Sequence, residues 1–151
     1  MVTTYPTITF HQQPSLIVKY YQHKMNVQNL YHNFSFLQMN AAGHVVGNNI
    51  GGGSTVQIIW VDKVKATANL YVAAANSYIT IDGANQVVGG ANEQLLQLDL
   101  QGNGSYVIRK AGDTINRLLL DKLSGPVTYG PAPLAGAADF NKQYWMLVAS
   151  K

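Results

Sequence analysis

At 151 residues and 16.4 kDa, with 47% hydrophobic side chains, the chain has the length of one domain, able to bury roughly 70% of its unfolded surface, and is too apolar for a disordered polymer. Ten basic and seven acidic side chains stand against 24 Asn and Gln, and the cations are scattered, so the net charge of +3 forms no stripe of the kind a nucleic-acid backbone requires. Cysteine is absent, which removes disulfides, thiolate metal sites and cysteine nucleophiles, and no run nears the roughly 18 apolar residues of a membrane-spanning helix.

The N-terminus, Met1-Val2-Thr3-Thr4-Tyr5-Pro6, has no basic stretch leading into an apolar run. No secretory leader is expected there; the chain as written reads as cytoplasmic, with extracellular release left open. Residues 7–10 and 16–21 read as two strands around a Gln12-Gln13-Pro14-Ser15 turn. Residues 1–28 are grouped as an N-terminal extended arm. It either packs on its own domain or pairs with a second copy to give a homodimer.

From residue 29 onward the chain repeats itself. Asn29-Leu30-Tyr31 returns as Asn69-Leu70-Tyr71. Phe36-Leu37-Gln38-Met39-Asn40 returns as Tyr78-Ile79-Thr80-Ile81-Asp82 and again as Arg117-Leu118-Leu119-Leu120-Asp121. Each copy is followed by a turn and a short apolar stretch: His44-Val45-Val46-Gly47, Gln86-Val87-Val88-Gly89 and Pro126-Val127-Thr128-Tyr129-Gly130. A Gly/Ala-rich loop and a Gln opening another strand complete each unit, at Gln57, Gln94 and Gln143. The expected units are about 29–68, 69–104 and 105–151, each with four short strands. Twelve short strands without a capped, 3.6-periodic helix leave an all-β barrel or sandwich.

This pattern resembles the β-trefoil, and the resemblance covers residues 29–151. It implies a six-stranded barrel closed at one end by three hairpins, in three pseudo-symmetric units of about 40 residues, with the N-terminal strand-rich extension outside it. The stretch from Phe36 to Gly47 looks like the strand-turn-strand of fibroblast growth factors and fascin-type trefoils. Asn141-Lys142-Gln143-Tyr144-Trp145 is similar to the Gln-x-Trp signature of ricin-B-type lectins, and residues 104–121 to a mushroom-lectin repeat. The other units have Ile59 and Leu96 where the third has Trp145. Gln57, Gln94, Gln143 and Trp145 are expected to be core features of the fold.

Catalytic constellations are missing. The four His fall within the first 44 residues without ligand-like spacing, so no metal is expected. Asp82 and Asp121 occupy equivalent places on different lobes, not the two walls of one glycosidase cleft. Gly-x-Ser-x-Gly and P-loop patterns are absent, and Gly51-Gly52-Gly53-Ser54 opens no helix. The reading is a non-enzyme without cofactors.

The resemblance to lectin trefoils implies a non-catalytic carbohydrate-binding protein, with glycans or glycoproteins as partners. Planar amides and carboxylates would satisfy the hydroxyls of a neutral sugar, beside an aromatic face. Carried over, the third-unit site is Asp121, Tyr129 and Asn141, and the second is Asp82, Asn85 and Asn92. The first unit has Asn40 in place of the Asp, with His44 and Asn48 nearby, and is expected to be weaker or empty. Turn capping is the structural alternative for Asp82 and Asp121. Two other readings stay open. One is a trefoil protease inhibitor acting through an exposed Pro126–Pro133 loop; the other is a growth-factor-like or self-assembling interaction protein. The loop from Leu123 to Gly136 carries no Lys or Arg, which argues against heparin binding.

Overall fold

The computed structural model describes residues 23–32 and 35–150. The two strands expected within residues 1–21 lie outside the described residues. Within them, alternating Val, Ile, Leu and Met set the strands, as in Phe36–Met39, where Leu37 and Met39 point inward and Phe36 and Gln38 do not. Twelve strands follow among the described residues. They are β1 His23–Asn29, β2 Phe36–Met39, β3 Val45–Asn48, β4 Val56–Asp62, β5 Thr67–Val72 and β6 Ser77–Ile81. The second half contains β7 Val87–Gly90, β8 Leu96–Leu100, β9 Tyr106–Lys110, β10 Asn116–Leu120, β11 Val127–Pro131 and β12 Trp145–Ala149. Among the described residues the helical elements are two single 3₁₀ turns, Ala73–Ala75 and Phe140–Gln143.

Six strands close a ring by antiparallel pairing. β1 pairs with β12 from Met25↔Ala149 to Asn29↔Trp145, and β12 with β9 at Trp145↔Tyr106. β9 pairs with β8, and β8 meets β5 at Thr67↔Gln97 and Ala68↔Leu96. β5 pairs with β4, and β4 returns to β1 at Met25↔Val56. The barrel thus has no free edge along its wall. Residues 23–28, grouped with the arm in the sequence reading, supply most of β1.

The other six strands form three hairpins: β2–β3, β6–β7 and β10–β11. Single bridges link them to one another in a triangle, His44↔Val88, Gln86↔Thr128 and Val46↔Pro126. Between barrel and hairpins lies one core, with Leu37, Val56, Leu70, Ile79, Leu96, Leu118 and Trp145 almost entirely buried. Trp145 is 0% exposed and its Nε1–H donates to the Leu118 carbonyl at 3.2 Å, so its one polar atom is satisfied inside the core. The barrel strand thereby holds the third hairpin.

The recurring Asn has a structural purpose. Asn29 Nδ2 donates to the Lys142 carbonyl and Asn69 Nδ2 to the Gln94 carbonyl, each at 3.0 Å. In both places a buried amide pins the segment that leads into the next barrel strand, β12 or β8.

One expected equivalence is corrected. Gln94 Oε1 accepts from the Ile81 N–H at 2.6 Å, and Ser54 Oγ accepts from the Met39 N–H at 2.9 Å. Ser54, not Gln57, therefore matches Gln94, and fully buried Val56, not Ile59, stands where Leu96 and Trp145 stand. A shorter side chain suffices because the chain runs very close to β2. A Cβ on Gly53 would lie 2.6 Å from both the Leu37 carbonyl oxygen and Phe36 Cβ.

A second correction concerns the proline-bracketed segment. Val127–Pro131 is strand β11, paired residue by residue with β10 from Asn116↔Pro131 to Leu120↔Val127. It is part of the hairpin wall, not a protruding loop of the sort an inhibitor presents.

Candidate functional site

The turns of the three hairpins carry most of the residues singled out in the sequence. In the first, Asn40 Oδ1 accepts from the N–H groups of Ala42 and His44, both at 3.0 Å. In the second, Asp82 Oδ1 accepts from Ala84 and Gln86, both at 2.9 Å. The fourth turn residue is left-handed in each case, Gly43 at φ 82° and Asn85 at φ 60°, a conformation that Gly and Asn adopt most readily. Asp82 thus caps its own turn with one carboxylate oxygen, as Asn40 does with its amide oxygen. Asn85 and Asn92 are exposed beside it.

The third turn differs. Asp121 to Val127 spans one residue more than Asp82 to Val87, and Asp121 is released from capping. Its Oδ1 accepts from Lys142 Nζ at 2.6 Å, and Lys142 also reaches Asp139 Oδ2 at 3.0 Å. The Lys142 side chain is mostly covered (17% exposed), while those of Asp121 and Asp139 are open, at 49% and 44%. The Asp121 carboxylate, and then that of Asp139, holds the Lys142 ammonium above its ordinary range; Lys142 in turn holds Asp139 below its own. The His32 imidazole Nε2 lies 3.1 Å from the Asp121 carbonyl oxygen. Asn141, next to Lys142, is exposed, and its amide makes no hydrogen bond among the described residues. Asp121 and Asn141 thus each expose a polar group to solvent, the carboxylate bonded to Lys142 and the amide one position before that lysine in the chain.

Tyr129 faces the other way. It is 6% exposed and belongs to the core. Its hydroxyl donates to Asp113 Oδ2 at 2.8 Å and accepts from the Lys110 N–H at 2.9 Å, while Lys110 Nζ sits 5.5 Å from the ring centroid. The resemblance made Tyr129 a ligand contact; its position on β11 points it inward, where it ties the third hairpin to β9. Asp113 also accepts from the Ile115 and Asn116 N–H groups, and these bonds, with that from Tyr129, push its carboxyl well below the usual carboxylate range. Burial, reinforced by Asp113, pushes the Tyr129 hydroxyl up to about 12.

Two hollows open on the first hairpin, where the sequence suggested least. One, of about 570 Å³, is lined by Lys24, Gln38, Asn48, Ser54, Gln57 and neighbouring glycines. The other, of about 480 Å³, is lined by Asn40, Ser54, Val72, Ala75 and Ser77 among others. A third, of about 280 Å³, lies where the hairpins meet, between His44, Asn85, Gln86 and Thr128 over a floor of Val45, Val87 and Val127. Asn48 is the residue the sequence already places near the first-unit turn; Gln38 is new, and although the strand alternation turns both outward, Gln38 carries no charge to draw attention. Among the described residues no group of three or more His, Asp or Glu is placed to hold a metal ion, and no helix is long and apolar enough to cross a membrane.

No protein-family model and no curated protein matches the sequence. Among solved structures, the fold is similar to the crystal structure of the Rhizoctonia solani agglutinin, with a TM-score of 0.69 at 17% identity, over 85% of this chain and 96% of that one. At that identity the likeness is one of fold: an all-β chain path with a closed barrel, shared with a lectin.

Proposed function

We propose that the chain is a non-catalytic carbohydrate-binding protein, a lectin of the β-trefoil kind, whose ligands are neutral glycans or glycoproteins. The single observation that carries this reading is the fold shared with an agglutinin along nearly the whole of that protein. Three hairpins bridged in a triangle over a six-stranded ring support the trefoil assignment. The turn and loop surfaces are built of amides, hydroxyls and glycine, groups that pair with sugar hydroxyls without needing a charge. In the third unit the proposed contacts are Asp121 and Asn141, with Tyr129 fixing the hairpin from behind. In the second they are Asp82, through its free carboxylate oxygen, with Asn85 and Asn92.

A glycan array probed with the full chain tests this directly. Binding to one or more neutral glycans is expected, and Asp121→Ala is expected to weaken it while leaving the melting temperature within a few degrees. An array blank at every sugar sinks the lectin reading; equal signals for variant and parent sink the third-unit site.

A further inference from the structure

The two hollows on the first hairpin are not separate. Met39, Ser54 and Ala74 line both, so the hollows meet across one low saddle. Both are open surface hollows, each roomy enough for one sugar ring. Joined, they make a trough running from the loop Gly52-Gly53, past β2, to the 3₁₀ turn Ala73–Ala75.

The chemistry along the trough is uniform. Its floor is apolar, with Met39 and Val72 almost buried and Ala74 and Ala75 exposed along it. Its polar groups are amides and hydroxyls; among the described residues no carboxylate lines either hollow, and Lys24 is the one charged side chain along them. Several of these groups have half their capacity taken, which fixes what is left. Ser54 Oγ accepts from the Met39 N–H and keeps its own proton to donate. Asn40 Oδ1 accepts two backbone N–H groups and Asn48 Oδ1 accepts that of Ile50, so each presents its NH₂. Gln38 and Gln57 have whole amides without a hydrogen-bond partner among the described residues. Oriented donors and free amides above an apolar floor suit a chain of rings with C–H faces and hydroxyl edges.

Building on the carbohydrate reading, we propose that this trough binds a neutral oligosaccharide of at least two pyranose units, one in each hollow, lying across the Met39–Ser54–Ala74 saddle. The first hairpin, without an acidic residue, is then the place where the protein reads glycan length.

The test is an affinity series on the full chain, using mono- to hexasaccharides of glucose, galactose, mannose, N-acetylglucosamine and N-acetylgalactosamine. Affinity for the preferred sugar is expected to rise about tenfold or more from one unit to two or three. Ala75→Trp, at an exposed position lining one hollow only, is expected to cancel that gain while monosaccharide affinity stays within about twofold. Gln57→Ala, in the other hollow, is expected to weaken the oligosaccharides without changing the fold. Affinity independent of length, or a full length-dependent gain in Ala75→Trp, overturns the trough and leaves the lectin reading intact. Failure to bind any member of the series overturns the lectin reading itself.

Discussion

Replacing Tyr129 with phenylalanine removes one oxygen from the inner side of the third hairpin and leaves the ring in place. That oxygen is the acceptor for the Lys110 N–H at 2.9 Å and the donor to Asp113 Oδ2 at 2.8 Å. Asp113 keeps its bonds from Ile115 and Asn116, but the Lys110 N–H is left without its acceptor. An orphaned buried donor costs about 1–3 kcal/mol, and that is the expected loss at neutral pH, read by urea denaturation. The pH dependence is sharper. The hydroxyl is raised from 10.0 to about 12 in the folded protein, so folding favours its protonated form. The stability it contributes is whole below about pH 10 and disappears as the pH climbs towards 12, at about 1.4 kcal/mol per unit. The gap between parent and Tyr129→Phe should therefore narrow by about 1 kcal/mol between pH 9 and pH 11. A variant as stable as the parent at neutral pH, or a gap that stays constant over this range, would refute the inward role of Tyr129. Unchanged glycan binding by the variant would agree with it.

Asp82→Asn should hold its turn, since Asn40 does the same work with an amide, whereas Asp82→Ala loses two hydrogen bonds and about 1 kcal/mol, visible as a lower melting temperature. Equal melting temperatures for the two variants would contradict the capping role. Trp145→Phe leaves the Leu118 carbonyl unpaired and a space beside it, at a cost of about 2–4 kcal/mol in chemical denaturation; a loss below about 0.5 kcal/mol would count against Trp145 as the centre of the core. Gly47→Ala and Gly89→Ala should differ. A Cβ on Gly47 meets the Leu123 carbonyl oxygen at 2.7 Å, which is backbone, while one on Gly89 first meets the Met39 sulfur at 2.7 Å, which can swing away. Thermal unfolding should place the Gly47 variant well below the Gly89 variant, and the reverse order would mean that the turn after β10 yields more easily than Met39.

Much of the architecture was legible because it repeats. The Asn of β1 and β5, the inward alternation of β2, β6 and β10, and the Val-Val pairs after the turns are pattern features that packing requires wherever they occur. What misled was the assumption that a repeated role needs a repeated residue. Ser54 stands for Gln94 because Gly53 lets the chain run closer to β2, and no spacing rule reveals how near two backbones pass. Tyr129 could not be oriented from sequence for a related reason: β11 holds Val127 and Tyr129 on its inner face, and the aromatic expected at a ligand was on that face too. The single-residue lengthening of the third turn, which frees Asp121, was visible as a difference of one in spacing. Its effect on the carboxylate's partners was not, because Lys142 arrives from 21 positions away.

The pairing of β1 with β12 also constrains how the protein comes into being. The ring contains two strands separated by most of the described chain, so among the described residues its seam is the pairing with the greatest sequence separation. Hairpins can form while the chain is still emerging from the ribosome, each from neighbouring residues, but β1 must wait for Trp145–Ala149 before its outer edge is covered. Until then that edge of β1 waits for its partner, and a pause in translation shortly before residue 145 would lengthen the wait.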